Sequence, residues 1–212
     1  MNKKIGHKFC CKDPVGPRLL LKGHSMNNKS VFICLFSFCC LFVSISVFAD
    51  EEASNIIYVK SGMYGRCYAK CIPDESYGSK GQTRIYVVGK DNDKLEITYP
   101  WYSTDVYLMH TAWGISVVRM GSWARGRTAN ESELAIAFYM SGRTLREYST
   151  LDIAGLPENV SASISHYTVF KKVIGYRWIS SNDYAFDVEA NDGKILSFDV
   201  RTGKLITAPG GN

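Results

Sequence analysis

Short stretches of alternating apolar and polar residues, separated by turn residues, most constrain how this chain can fold. The clearest case is YAFDVEANDGKILSFDV, in which Phe186 and Val188 alternate with acidic residues before the triplet NDG at 191–193. A period of two is typical of a half-buried β-strand, and the triplet favours a hairpin turn. The segment therefore predicts two antiparallel strands, followed by a turn at 201–203 and a short strand near Leu205.

Two more hairpins are predicted upstream. RIYVVGKDNDKLEITY has its turn at residues 91–93, and LAIAFYMSGRTLREYS has its turn at residues 141–142. The second hairpin is ambiguous, because Asn130 followed by Glu133 resembles a helix capping box before an apolar run. A strand is favoured, because the run alternates, is short and closes on a Ser-Gly turn. The three hairpins begin about 50 residues apart, as in a repeated β-unit, but share only turn residues.

Residues 192–206, DGKILSFDVRTGKLI, resemble the closing strands of quinoprotein-type propeller repeats. They are also similar to the final hairpin of PepSY domains, which are small extracytoplasmic modules. The shared pattern is mostly turn chemistry, so both resemblances imply a hairpin and neither assigns a functional residue.

The whole pattern predicts a mainly β fold, a single antiparallel β-sandwich or barrel-like domain built from hairpins over residues 50–207. The tail 208–212 is expected to be flexible. This length is sufficient for one domain with its own core. Further strands are predicted at Ile56–Lys60, Val106–His110, Ile115–Met120, Tyr167–Val173 and Tyr176–Ile179. Surface loops are predicted at Pro73–Gln82, Trp123–Asn130 and Ala154–Ser163.

The N-terminal residues predict export from the cytoplasm. From Met26 the chain has a short basic region, a long apolar run and a small residue at Ala49. This is the pattern of a signal peptide over residues 26–49, with cleavage before Asp50 and a periplasmic or secreted mature protein. A retained anchor is the competing interpretation. Residues 1–25 precede a complete signal peptide and are interpreted as a mis-assigned upstream extension.

The leader also explains the basic charge of the chain. Residues 1–49 carry seven of the 25 basic residues and one of the 20 acidic residues. Residues 50–212 therefore hold 18 basic and 19 acidic residues, a formal charge of −1. This balance argues against a nucleic-acid partner. Contact with a membrane is expected only if the signal segment is retained.

Two of the seven cysteines, Cys67 and Cys71, follow the leader. As a strand, YGRCYAKC places both on one face, with Cα atoms about 13 Å apart. A disulfide needs roughly 4.4–6.8 Å, and so would require a turn at residues 68–70. Two buried thiols and a local disulfide both remain open. A zinc or redox role is disfavoured, because ligands are distant and the spacing is not that of a redox pair.

His166 is the candidate for catalysis, with Ser163, Ser165 and Asp152 nearby in the sequence. A Ser-His-Asp arrangement would make the protein a small periplasmic hydrolase. No nucleophile motif accompanies these residues, and a histidine entering a strand is commonly structural. Asp152 is equally suited to hydrogen bonding with its own backbone in a turn. Catalysis is therefore kept as the alternative function.

The stretch RMGSWARGR is the candidate for binding. Arginine beside tryptophan can hold a ligand through forked hydrogen bonds and ring stacking. The sequence neighbours Trp101 and Tyr102, after Pro100, form a second candidate with exposed aromatic rings. The candidate arginines and tryptophan of the first stretch are Arg119, Trp123, Arg125 and Arg127.

The sequence shows no phosphate loop and no clustered metal ligands, so no cofactor and no metal are predicted. Together these features favour a non-catalytic binding or interaction module. Its expected partner is an envelope protein or a glycan.

Overall fold

The computed structural model describes residues 53–206. The expected upstream extension 1–25, signal peptide 26–49 and flexible tail 208–212 lie outside the described residues. Within residues 53–206 the chain is mainly β, with fourteen strands in four antiparallel sheets and one short helix.

Sheets I and II follow one another along the chain, and neighbouring strands in each are antiparallel. Sheet I has the order β1-β2-β3-β4 and sheet II the order β5-β6-β8-β9. The strands of sheet I are β1 (Tyr58–Ser61), β2 (Cys67–Pro73), β3 (Gly81–Val87) and β4 (Lys94–Tyr99). Those of sheet II are β5 (Val106–Thr111), β6 (Gly114–Met120), β8 (Leu134–Met140) and β9 (Arg143–Ser149).

Sheet III is small and sheet IV closes the described chain. Sheet III has the order β10-β11-β7 and sheet IV the order β12-β13-β14. Their strands are β7 (Ala124–Arg125), β10 (Ser161–Ala162), β11 (His166–Thr168), β12 (Phe170–Ser180), β13 (Asp183–Ala190) and β14 (Ile195–Asp199). A single bridge from Phe198 to Leu205 continues sheet IV, where a short final strand was expected.

The predicted hairpins are confirmed, and each lies in a different sheet. The ambiguous run 134–140 is strand β8 and pairs with β9. Its turn is tight because Ser141 and Gly142 both adopt positive φ, at 46° and 86°. Two successive residues of this kind match the twist of a two-residue hairpin. The two strands predicted at 167–173 and 176–179 are instead β11 and the long β12.

Sheet II lies between sheets I and IV, so both faces of its central strands β6 and β8 are buried. Val117 on β6 belongs to a core cluster shared with β2, β3 and β4, in which it is packed with Cys67 and Ile85. The next residue, Val118, belongs to a second cluster shared with sheet IV, which includes Phe186. Both valines are fully buried. Near-continuous apolar runs in β6 and β8 are the sequence signature of such two-sided burial.

Helix α1 (Thr150–Ala154) was missed by the sequence analysis. Its first turn is held by a capping box, in which Ser149 accepts from the Asp152 amide and the Asp152 carboxylate accepts from the Ser149 amide. The prediction of local capping by Asp152 is confirmed, although in a helix rather than a loop. No helix within residues 53–206 is long and apolar enough to span a membrane.

The two ends of the sheets differ in the length of their connections. Tight turns close sheets II and IV at one end, which we call the turn end, at residues 112–113, 141–142 and 181–182. The long connections 74–80, 121–133 and 150–169 meet at the opposite end, which we call the loop end. They contain part or all of each of the three predicted surface loops. Two of these connections supply the strands of sheet III, which packs there with α1.

Candidate functional site

A cavity of about 430 Å³ opens at the loop end, between the strand ends of sheet II and sheet III. Its size is within the range of small-molecule binding sites. We call it the cleft. The cleft is lined by Asp105, residues 121–124, Leu134, Ala135, Thr150, residues 161–163 and residues 166–170.

Trp123 and His166 meet in the cleft. Their ring centroids lie 5.3 Å apart with an interplanar angle of 67°, an edge-to-face contact. The contact follows from strand pairing, because β7 sets Arg125 opposite His166 and Trp123 directly precedes β7. Trp123 remains 56% exposed, whereas His166 is 8% exposed. The structure thus brings together two residues that the sequence analysis assigned to different hypotheses.

His166, the first residue of β11, is held in place by two serines that precede it. Its Nδ1 lies 2.8 Å from Ser165 Oγ, and its amide donates to Ser163 Oγ at 3.3 Å. Ser163 Oγ in turn donates to the His166 carbonyl oxygen at 3.1 Å. These bonds fix the imidazole at the wall of the cleft beside Trp123.

A buried polar network supports the cleft from behind. Thr150 Oγ1 lies 2.9 Å from the Tyr167 hydroxyl, and Asn130 Nδ2 donates to that hydroxyl at 3.2 Å. Thr150 also donates to the Asn130 carbonyl oxygen at 2.9 Å. Thr150 and Tyr167 are 3% and 4% exposed. Because satisfied buried networks are rigid, this one ties the connections 121–133 and 150–169 together.

Asp152 does not line the cleft. Its Oδ2 accepts hydrogen bonds from the Ser149 amide and hydroxyl, both at 2.8 Å. The acid among the described residues that line the cleft is Asp105, which is exposed. The Ser-His-Asp arrangement considered for catalysis therefore lacks Asp152 as its acid.

The expectation of exposed rings at Trp101 and Tyr102 is wrong. They are 8% and 3% exposed and belong to the core between sheets I and II. The Trp101 carbonyl accepts from Thr83 Oγ1 at 2.8 Å, and the Tyr102 hydroxyl donates to the Ile56 carbonyl at 2.9 Å. The reason is the stacking of two sheets, which covers the segment that leaves β4.

The arginines of the candidate binding stretch separate in space. The guanidinium of Arg119 lies over the Trp101 ring, 4.7 Å from its centroid, and so packs on the core rather than in the cleft. Arg125 and Arg127 are exposed beside sheet III and are not among the residues that line the cleft. Of the four candidate residues in this stretch, only Trp123 lines the cleft, beside its neighbours Ser122 and Ala124.

Cys67 and Cys71 lie on strand β2 as free thiols. Both are fully buried on the face toward sheet II. Burial raises the pKa of both thiols, because the thiolate would lose its hydration. The sequence left open a local disulfide or two buried thiols, and the structure shows two buried thiols on a strand.

Sequence reasoning missed Asp105, Thr150 and Tyr167 as parts of the site. Their relation depends on pairings between distant connections, for which the sequence carries no local signal. No group of three or more His, Cys, Asp or Glu side chains within residues 53–206 is placed to hold a metal ion.

Comparison with known proteins does not assign the chain to a family. No protein-family model matches it, and neither the curated proteins nor the solved structures contain a significant match. Its function is therefore argued from the geometry of the cleft.

Proposed function

We propose that this protein is a non-catalytic binding module whose cleft takes a neutral glycan. The observation that carries the proposal is the half-exposed indole of Trp123 at the edge of a cleft lined by hydroxyl groups. A sugar ring has one face of C–H groups, which packs on an aromatic ring, and an edge of hydroxyls. Binding sites of this kind pair an apolar surface with a few fixed polar groups.

The polar groups of the cleft suit a ligand that both donates and accepts hydrogen bonds. Ser122 and Ser161 present exposed hydroxyls, and hydroxyls can serve either role. The lining has one carboxylate, Asp105, and no lysine or arginine. The cleft therefore has no lysine or arginine to pair with an anionic ligand, whereas a neutral sugar binds without an ion pair. A side chain of an envelope protein is the other predicted occupant, and the test below separates the two.

We further propose that the sheets form one sandwich-like domain that acts in the periplasm or outside the cell. The signal-peptide pattern at 26–49 supports this location, with cleavage before Asp50. Determination of the N-terminal residue of the protein from the envelope or medium tests the proposal. A mature protein that begins at Met1 or Met26 would contradict it.

A panel of named sugars tests the binding proposal. Tryptophan fluorescence and calorimetry measure the affinity of each sugar. The panel comprises glucose, galactose, mannose and N-acetylglucosamine, with their short oligomers. At least one is expected to bind, and Trp123→Ala should weaken that binding by tenfold or more. Trp113→Ala is the matched control, because Trp113 is 52% exposed and lies at the turn end.

Two outcomes would contradict the glycan proposal. One is the absence of binding by every sugar of the panel, which would favour a protein occupant. The other is equal loss of binding in Trp113→Ala and Trp123→Ala, which would place the site elsewhere.

A hydrolase remains the second candidate, favoured by the 2.8 Å contact between Ser165 Oγ and Nδ1 of His166, which lines the cleft. A histidine beside a hydroxyl is the core of a nucleophilic pair. Hydrolysis of p-nitrophenyl esters and p-nitrophenyl glycosides discriminates the two functions. The binding module is expected to show none. Turnover that His166→Ala abolishes while the melting temperature is unchanged would establish the hydrolase instead.

A further inference from the structure

A second cavity of about 260 Å³ adjoins the cleft. The two cavities share Asp105 and residues 121–123, so they meet along one wall. We call the second cavity the outer lobe. The residues that line the outer lobe but not the cleft come from the start of the described chain, from the connection 74–80 and from residues 102–104.

The outer lobe has walls that the fold holds in place. Asn55 Nδ2 donates to the carbonyl oxygens of Glu75 and Gly78, at 3.1 Å and 3.0 Å. The Tyr102 amide donates to the Ser79 carbonyl oxygen at 2.8 Å. These bonds connect three separate segments around the cavity. The connection 74–80 is therefore fixed against sheet I.

Trp123 lies at the junction, because its side chain lines both cavities. On one side of it are His166 and sheet III, and on the other are Ser103 and Thr104. A ligand confined to either cavity would contact only part of the indole. A linear ligand that passes over it would contact both walls.

We infer that the site binds a linear oligosaccharide, with one sugar unit in the cleft, the next in the outer lobe and Trp123 at their junction. This rests on the proposed function and adds to it the length of the ligand. The affinity should rise by about tenfold from monosaccharide to disaccharide or trisaccharide. It should level off at longer lengths, when both cavities are full.

The test measures affinity against chain length with two series, α-1,4-linked glucose oligomers and β-1,4-linked N-acetylglucosamine oligomers, of one to five units. The variant Thr104→Trp places a bulky side chain in the outer lobe from an exposed loop position. It should remove the gain from chain length while leaving monosaccharide affinity unchanged. Thr98→Trp is the matched control, since Thr98 is exposed on β4 and is not among the lining residues of either cavity.

The inference is wrong if affinity does not change with chain length in the unmodified protein. It is also wrong if Thr104→Trp weakens monosaccharide and oligosaccharide equally, or if Thr98→Trp has the same effect. In each of these cases the proposed function still stands if Trp123→Ala weakens the binding of sugar to the protein. If neither series nor the other sugars bind at all, the proposed function and this inference fail together.

Discussion

The burial of sheet II on both faces predicts that two adjacent valines are equally important for stability. Val117 and Val118 are both fully buried but belong to different core clusters. Valine to alanine removes two carbon groups, worth about 1.6 kcal/mol at 0.8 kcal/mol each. The cavity that remains adds to this, so each substitution should cost roughly 2–3 kcal/mol. In a sheet with one solvated face, one of the two would cost under about 0.5 kcal/mol.

Equilibrium unfolding in urea measures these costs. Each variant should lower the unfolding midpoint by about 1 M, since the slope for a domain of this size is about 1–3 kcal/mol per M. The double variant should cost the sum of the two within about 0.5 kcal/mol, because the side chains share no cluster. Val59→Ala is the control, as Val59 lies in β1 and is 56% exposed. A cost under 0.5 kcal/mol at Val117 or at Val118 would refute the stacking of three sheets.

Three further predictions concern individual side chains. Cys67 and Cys71 should be free thiols in the native protein, so its intact mass should not show the two-hydrogen deficit of a disulfide. Both thiols should react with an alkylating reagent only after unfolding. A two-hydrogen deficit would contradict the assignment of this segment to a strand. Burial raises the pKa of Tyr99 to about 12, from about 10 in an unfolded chain. The stability that the Tyr99 hydroxyl contributes below pH 10 should therefore be lost between pH 10 and 12, by about 1.4 kcal/mol per pH unit. Tyr99→Phe should flatten this fall in guanidinium titrations, and an unchanged slope would count against the assignment. Lys70 and Arg84 oppose each other across β2 and β3, so Lys70→Glu should stabilise by about 0.2–1 kcal/mol at low salt and less at high salt. A loss of stability at low salt would show that the two cations do not repel.

The hairpins could be predicted because the residues that determine each of them lie next to one another in the sequence. Gly142 and Gly193 supply the positive φ that the turns need, and the residues beside them alternate in polarity. The choice of strand over helix for residues 134–140 rested on the same local pattern. Helix α1 is only five residues long, and the sequence around Asp152 indicates a loop in which this side chain bonds to its own backbone.

The stacking of the sheets could not be predicted from the same local pattern. Near-continuous apolar runs at 115–120 and 134–140 indicate two-sided burial, but periodicity alone does not say what covers each face. Their position after Pro100 predicts exposed rings at Trp101 and Tyr102. Their burial depends on sheet II, whose strands come later in the chain.

The candidate site was predicted one residue at a time. Trp123 and His166 were each singled out, but their contact depends on pairing of the short strands β7 and β11. Strands of two or three residues have little propensity of their own, and tertiary packing decides where they form. Asp152 instead bonds to Ser149 outside the cleft, whereas Asp105 and Thr150, which lie on other connections, line it.

The most direct test of the binding account is an amide-proton NMR spectrum recorded during titration with the sugar of highest affinity. The account predicts the largest shifts at the Trp123 indole N–H and at the amides of residues 121–124, 161–163 and 166–170, which line the cleft. Signals from Trp113 and Trp178, which are also exposed, should stay in place. Shifts concentrated at those two tryptophans, with the cleft signals unmoved, would contradict the account.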